Sequence, residues 1–254
     1  MKGYGRSITL PISSGRSRAP RYHRTMRVIA CLVGLAIVTA PAFAKSEKSK
    51  TDERLQDAAE LFSEVMGTPD KAIPQNLLDK AYCIVLVPGL KKGGFVIAGK
   101  YGKGFALCRH GAGTGWGAPA AVRIEGGSFG FQIGVSSTDV ILLIMNERGM
   151  KRLTTSKFTI GGEATAAAGP VGRDATAQTD ALLTAEILSW SRSRGLFAGV
   201  SLDGATMRND IDENEAMYGK RWDNKQILMS GATPPAAAAR LIAELNKYSP
   251  RETH

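Results

Sequence analysis

Glycine recurs beside aromatic residues inside stretches that otherwise read as β-strand, and this restricts the fold more than any other feature of the chain. Gly93-Gly94-Phe95-Val96-Ile97-Ala98-Gly99-Lys100-Tyr101-Gly102-Lys103-Gly104 is followed by Gly126-Gly127-Ser128-Phe129-Gly130-Phe131-Gln132-Ile133-Gly134 and then by Ser193-Arg194-Gly195-Leu196-Phe197-Ala198-Gly199-Val200-Ser201. Glycine weakens a strand interior, so its repeated use there marks close backbone approach or sharp coiling. The blocks are unequally spaced, which makes them a shared strand grammar and not a solenoid repeat.

The surrounding pattern supplies the other elements. Residues 51–66 place Leu55, Ala58, Ala59, Phe62, Val65 and Met66 at helical spacing, and Gly67-Thr68-Pro69 stops the run. The polar face of this helix carries Asp52, Glu53, Asp57, Glu60 and Glu64 against Arg54. That is the reverse of a face suited to anionic lipid, so core packing is its expected role. Pro74 opens a second short helix. The unbroken apolar run 83–87, ended by Pro88-Gly89, predicts a central strand. Strands at 95–99 and 105–109 flank 100–104, which suits a hairpin. Further strands are expected at 116–124, 128–136, 140–146, 185–192 and 196–207, with a short helix at 150–155 and a β-compatible stretch at 159–168. Helices follow at 210–218, 224–229 and 235–247. The fold class is therefore α+β: a mainly antiparallel, strongly twisted sheet, barrel-like or a sandwich, with helices at the N- and C-terminal ends.

Met26-Arg27, an apolar run over 28–39 and Ala42-Phe43-Ala44 have the layout of a secretory signal peptide. The apolar run has about a dozen residues where a membrane-spanning helix needs about 20. Residues 1–44 are read as basic leader and signal peptide, 45–50 as a polar linker, 51–248 as one domain and 249–254 as a tail. The expected location is outside the cytoplasm, periplasmic or secreted. The net charge of +10 comes from 33 Lys and Arg against 23 Asp and Glu, but seven of the basic residues and none of the acidic ones lie in 1–44. Beyond the leader the charges nearly balance, so overall basicity gives no argument for nucleic acid. Cys83 and Cys108 both lie in apolar strand patterns. In an exported chain they could be bridged; they could equally be buried thiols.

Catalytic constellations fail on their own requirements. Gly126-Gly127-Ser128-Phe129-Gly130 matches the nucleophile-elbow pattern, yet the strand grammar continues through it and the later histidine is the terminal His254. His110 sits in a glycine-rich loop with no partner for a metal site. Asp210, Asp212 and Asn214 imitate a calcium loop but meet Glu215 and Arg221 at its demanding positions. Helix N-terminal carboxylates explain them better. No catalytic residue, metal site or cofactor is expected.

What remains is a cluster of cations: Lys91, Lys92, Lys100, Lys103 and Arg109, with Tyr101 among them and Phe105 beside them. With 100–104 drawn as a hairpin tip, Lys100 and Lys103 flank Tyr101 and the other lysines lie in the preceding turn. Each lysine near an anionic bilayer contributes about 1 kcal/mol, so such a tip could hold anionic phospholipid; an ordinary solvated turn is the alternative.

Several ordered motifs also carry a family resemblance. Gly99-Lys100-Tyr101-Gly102-Lys103-Gly104 with Cys108-Arg109, the 127–134 block, Thr138-Asp139 with Met145-Asn146, Ala167-Ala168-Gly169-Pro170-Val171-Gly172-Arg173 and Ser191-Arg192-Ser193-Arg194-Gly195-Leu196-Phe197 together resemble the SYLF domain over about residues 55–230. The resemblance implies a lipid-binding protein without catalysis, with phosphoinositide-like headgroups as ligands. It also implies actin binding in some fungal members and an envelope location for bacterial ones. A structural or interaction protein with no specific lipid ligand is the second reading.

Overall fold

Ser46, and not the apolar periodicity, decides where the first helix begins. Its hydroxyl accepts from the Ser49 N–H at 3.2 Å and caps α1, Glu47–Gly67, while Glu47 supplies first-turn negative charge and pairs with Lys50. The expected linker 45–50 is therefore corrected: most of it is the first turn of a helix. The computed structural model describes residues 46–250 except 69, 71, 95–96, 110–114, 130–133, 173–183, 194–195 and 201. The leader and signal peptide, His110 and Arg173 lie outside the described residues.

A short helix α2, Gln75–Lys80, follows Pro74 as expected. Among the described residues, nine strands then form one sheet. They are β1 Cys83–Gly94, β2 Ile97–Cys108, β3 Ala120–Phe129, β4 Gly134–Ile144, β5 Lys157–Thr159, β6 Ala166–Ala168, β7 Ile187–Ser193, β8 Leu196–Gly199 and β9 Thr206–Asn209. The order is β5-β9-β3-β2-β1-β4-β7-β6, with β8 on the same side of β7 as β6. Every pairing is antiparallel except β6 with β7, and the sheet curls strongly into a half-barrel. Helix α3, Glu147–Leu153, interrupts the strands. Helices α4 Ile211–Tyr218, α5 Asn224–Met229 and α6 Ala239–Tyr248 close the chain.

Two turn signals turn out to be devices inside strands. Pro88-Gly89 does not end β1. Val87 pairs with Val140 and Leu90 with Thr138, so two residues oppose Asp139 in a bulge. Gly89 has φ +67° and donates its N–H to Asp139 Oδ1 at 2.9 Å. Residues 100–104 are likewise no hairpin tip; they lie in the middle of β2, and β1 and β2 remain paired out to Gly94 and Ala98. The glycines there serve the bulge. A Cβ on Gly104 would stand 2.0 Å from the Leu86 carbonyl oxygen, and one on Gly102 would stand 2.7 Å from Leu90 Cδ1. Gly126 and Gly127, expected as a strand separator, also pair within β3.

Pleating divides the core into two layers. One contains Cys83, Val85, Val87, Ala106, Val122, Ile124, Leu142 and Ile187 with Phe158 and Met207 from the edge strands; residues from so many strands meet only on the inner face of the curl. The other contains Ile84, Leu86, Phe105, Leu107, Ile141, Leu188 and Trp190 and is covered by α1, α2 and α6. Leu55, Phe62 and Met66 of α1 are buried in this outer layer, in line with a core role. On the inner side the register sets Cys83 opposite Cys108, and their sulfurs are joined in a disulfide.

Candidate functional site

Register decides which of the expected cations can act together. Lys92 lies directly opposite Lys100, and Lys91 directly opposite Tyr101. Because successive residues alternate faces, Lys92 and Lys100 share the inner face, past Leu90, while Lys91, Tyr101 and Lys103 share the outer one. The single cationic tip expected from the sequence is thus split between two sides of the sheet. Burial, and then repulsion from Lys100, lowers the Lys92 pKa from the ordinary lysine value. No carboxylate pairs with Lys91, Lys92 or Lys100 among the described residues, and Tyr101 is 48% exposed.

Lys103 is neutralised. Its ammonium lies 2.8 Å from Asp210 and 3.3 Å from Glu213, both buried at the start of α4. Burial opposes its charge, but the hydrogen bond to Asp210 and the nearby Glu213 outweigh this and raise its pKa. Arg54 reaches Glu213 from α1, so the pair of carboxylates ties β2 to two helices. Asp210 also caps α4 by accepting from the Glu213 N–H, the role expected of these carboxylates.

Arg109 is corrected outright. It is 8% exposed and donates to the carbonyls of Leu78 at 3.0 Å, Ala81 at 3.0 Å and Ser249 at 3.1 Å. Its guanidinium stacks 4.2 Å from the Trp116 ring centroid, and Trp116 Nε1 donates to the same Ser249 carbonyl. This is a latch holding Ser249 against α2, closed to any headgroup. Phe105 is fully buried in the outer layer and is no interfacial residue. Among the described residues, no helix is long and apolar enough to cross a membrane, and no cluster of His, Cys, Asp and Glu could hold a metal ion.

Residues 125–248 match the family model described as Ysc84, Las17-binding protein actin regulator. SH3 domain-containing YSC84-like protein 1 of Rattus norvegicus is 31% identical over 210 residues, which is 82% of this chain and 61% of that protein. The Homo sapiens protein of the same name is 30% identical over 210 residues, 82% of this chain and 60% of that one. Protein YSC84 of Saccharomyces cerevisiae is 32% identical over 205 residues, 80% of this chain and 43% of that protein. The chain belongs to the SYLF family. It spans about three fifths of the length of the animal relatives.

One feature of this SYLF domain was not anticipated. On the outer face Arg123 of β3 stands between Lys103 and Arg208, and a surface cavity of about 370 Å³ opens where Arg123, Arg208 and Arg221 meet Thr154 and Ser156. The alternation of buried Val122 and Ile124 was enough to turn Arg123 and Glu125 outward. Nothing local, however, signals that β9 pairs with β3.

Proposed function

We propose that this SYLF chain is a non-catalytic, exported protein of the bacterial cell envelope that attaches to anionic phospholipid surfaces, with phosphoinositide-like charge in the preferred headgroup. The observation that carries this reading is the Lys92–Lys100 pair. Like charges directly opposite on a sheet are destabilising, and here two ammonium groups are set side by side without a carboxylate partner among the described residues. An anionic headgroup between them removes that repulsion. Lys91 and Tyr101 lie on the other side of the same strand pair, so an end-on approach of the β1–β2 ribbon brings both faces to one surface. Flotation of the full chain with vesicles containing anionic phospholipid tests this. Lys92→Glu with Lys100→Glu abolishes attachment at low salt on this reading, and unchanged attachment removes the site.

The second reading is a protein-interaction module, and the family description, Las17-binding protein actin regulator, favours it. A stable complex with a purified protein partner, together with no vesicle binding at low salt, supports it over the first.

A further inference from the structure

The register of the outer sheet face lines up four cations. Lys103 on β2 is opposite Arg123 on β3, Arg123 is opposite Arg208 on β9, and Arg208 is opposite Lys157 on β5. A like-charge row of this kind opposes folding unless anions offset it. Asp210 and Glu213 do so for Lys103. Arg123 and Arg208 share one carboxylate, Glu125, with Arg123 Nε 2.7 Å from Oε1 and Arg208 Nη1 3.2 Å from Oε2. Arg123 Nε is buried and finds no aligned acceptor even so.

These two guanidiniums open into the cavity of about 370 Å³ that Arg221, Thr154 and Ser156 also line. Its two carboxylates are already engaged. Asp223 accepts from the Gln226 N–H in the capping box of α5, and Asp212 lies 3.1 Å from Arg221, whose other terminal nitrogen donates to Glu215 at 2.6 Å, so a phosphoryl group competes with both carboxylates for Arg221. Guanidiniums present planar forks that match tetrahedral oxyanions, and neighbouring hydroxyls can donate to the remaining oxygens. We propose that Arg123, Arg208 and Arg221 form a binding site for a phosphoryl group. The site lies on the opposite sheet face from Lys92 and Lys100 and stands independently of the membrane reading.

The phosphoryl group could come from a soluble phosphomonoester or from a phospholipid headgroup, and the two are separable. The full chain is titrated with inorganic phosphate and with glycerol 3-phosphate at constant ionic strength, and in a separate arm with phosphatidic acid vesicles. Arg208→Gln and Arg221→Gln each weaken binding about tenfold, the loss expected for one charged hydrogen-bonding partner. Their side chains are 42% and 60% exposed, so both variants fold. Glu125→Gln, which removes the competing carboxylate, tightens binding and makes the melting temperature more responsive to phosphate. Arginine-dependent binding of the soluble probes assigns the site to a free phosphomonoester, and arginine-dependent binding to vesicles alone assigns it to a headgroup. Lys92→Glu with Lys100→Glu leaves binding of the soluble probes unchanged. Absence of saturable binding in every arm, or equal binding by wild type and both arginine variants, overturns the proposal.

Discussion

Replacing Gly104 by alanine tests whether the glycines of β2 exist to let two backbones meet. The new Cβ would sit 2.0 Å from the Leu86 carbonyl oxygen and 2.8 Å from the Val87 Cα, both backbone atoms of the bulged stretch of β1. Ordinary contact begins above 3 Å, so β1 and β2 must separate by about an ångström directly beside the Leu86–Phe105 pair, where both side chains are fully buried. Overpacking of this kind costs about 1–3 kcal/mol even where side chains can yield, and backbone yields less, so the expected loss is about 3 kcal/mol. For a domain of this size that lowers the melting temperature by about 6–12 °C. Gly99, five residues earlier in the same strand, has nothing within 4 Å of its would-be Cβ. Gly99→Ala should therefore stay within about 1 kcal/mol of wild type, on the stabilising side. Thermal unfolding of the two variants by circular dichroism decides the matter. Equal melting temperatures would refute the close-approach argument and leave the glycine motif without a packing cause.

Other expectations follow from the same geometry. Arg109→Ala removes the donor shared by three buried carbonyls and should cost about 3–5 kcal/mol in a denaturant titration, while leaving the vesicle affinity of the folded protein unchanged. The Cys83–Cys108 bridge has a sequence separation of 25, so reduction, or Cys83→Ser with Cys108→Ser, should lower stability by about 3 kcal/mol in melts with and without reductant. Because the Lys92 pKa is lower in the folded chain than in the unfolded one, the folded state holds fewer protons between those two values and its stability rises with pH there. Lys92→Gln should accordingly be more stable than wild type at pH 7, with the gap narrowing as pH climbs toward the ordinary lysine range, read from melts at both ends.

The helices were legible because a 3.6-residue pattern is local. The stripe from Leu55 to Met66 needs no knowledge of the rest of the chain. Strand boundaries were not, because Pro88-Gly89, Gly102 and Gly126-Gly127 carry turn chemistry that a curled sheet uses inside strands. The cation site was misread for the same reason. Once 100–104 is strand and not turn, alternation sends Lys100 and Lys103 to opposite faces, and Lys103 finds Asp210 from more than a hundred residues away. Arg109 looked like a surface cation because its partners, Leu78, Ala81 and Ser249, are carbonyl oxygens, which no side-chain pattern records.

Vesicle partitioning of the full chain, measured for wild type and for Lys92→Gln with Lys100→Gln at two salt concentrations, tests the membrane reading most directly. Two lysines at about 1 kcal/mol each predict about a 30-fold weaker partition for the double variant on anionic vesicles at low salt, shrinking as salt rises. Equal partition of the two proteins at low salt, or attachment indifferent to both salt and anionic lipid content, would contradict it.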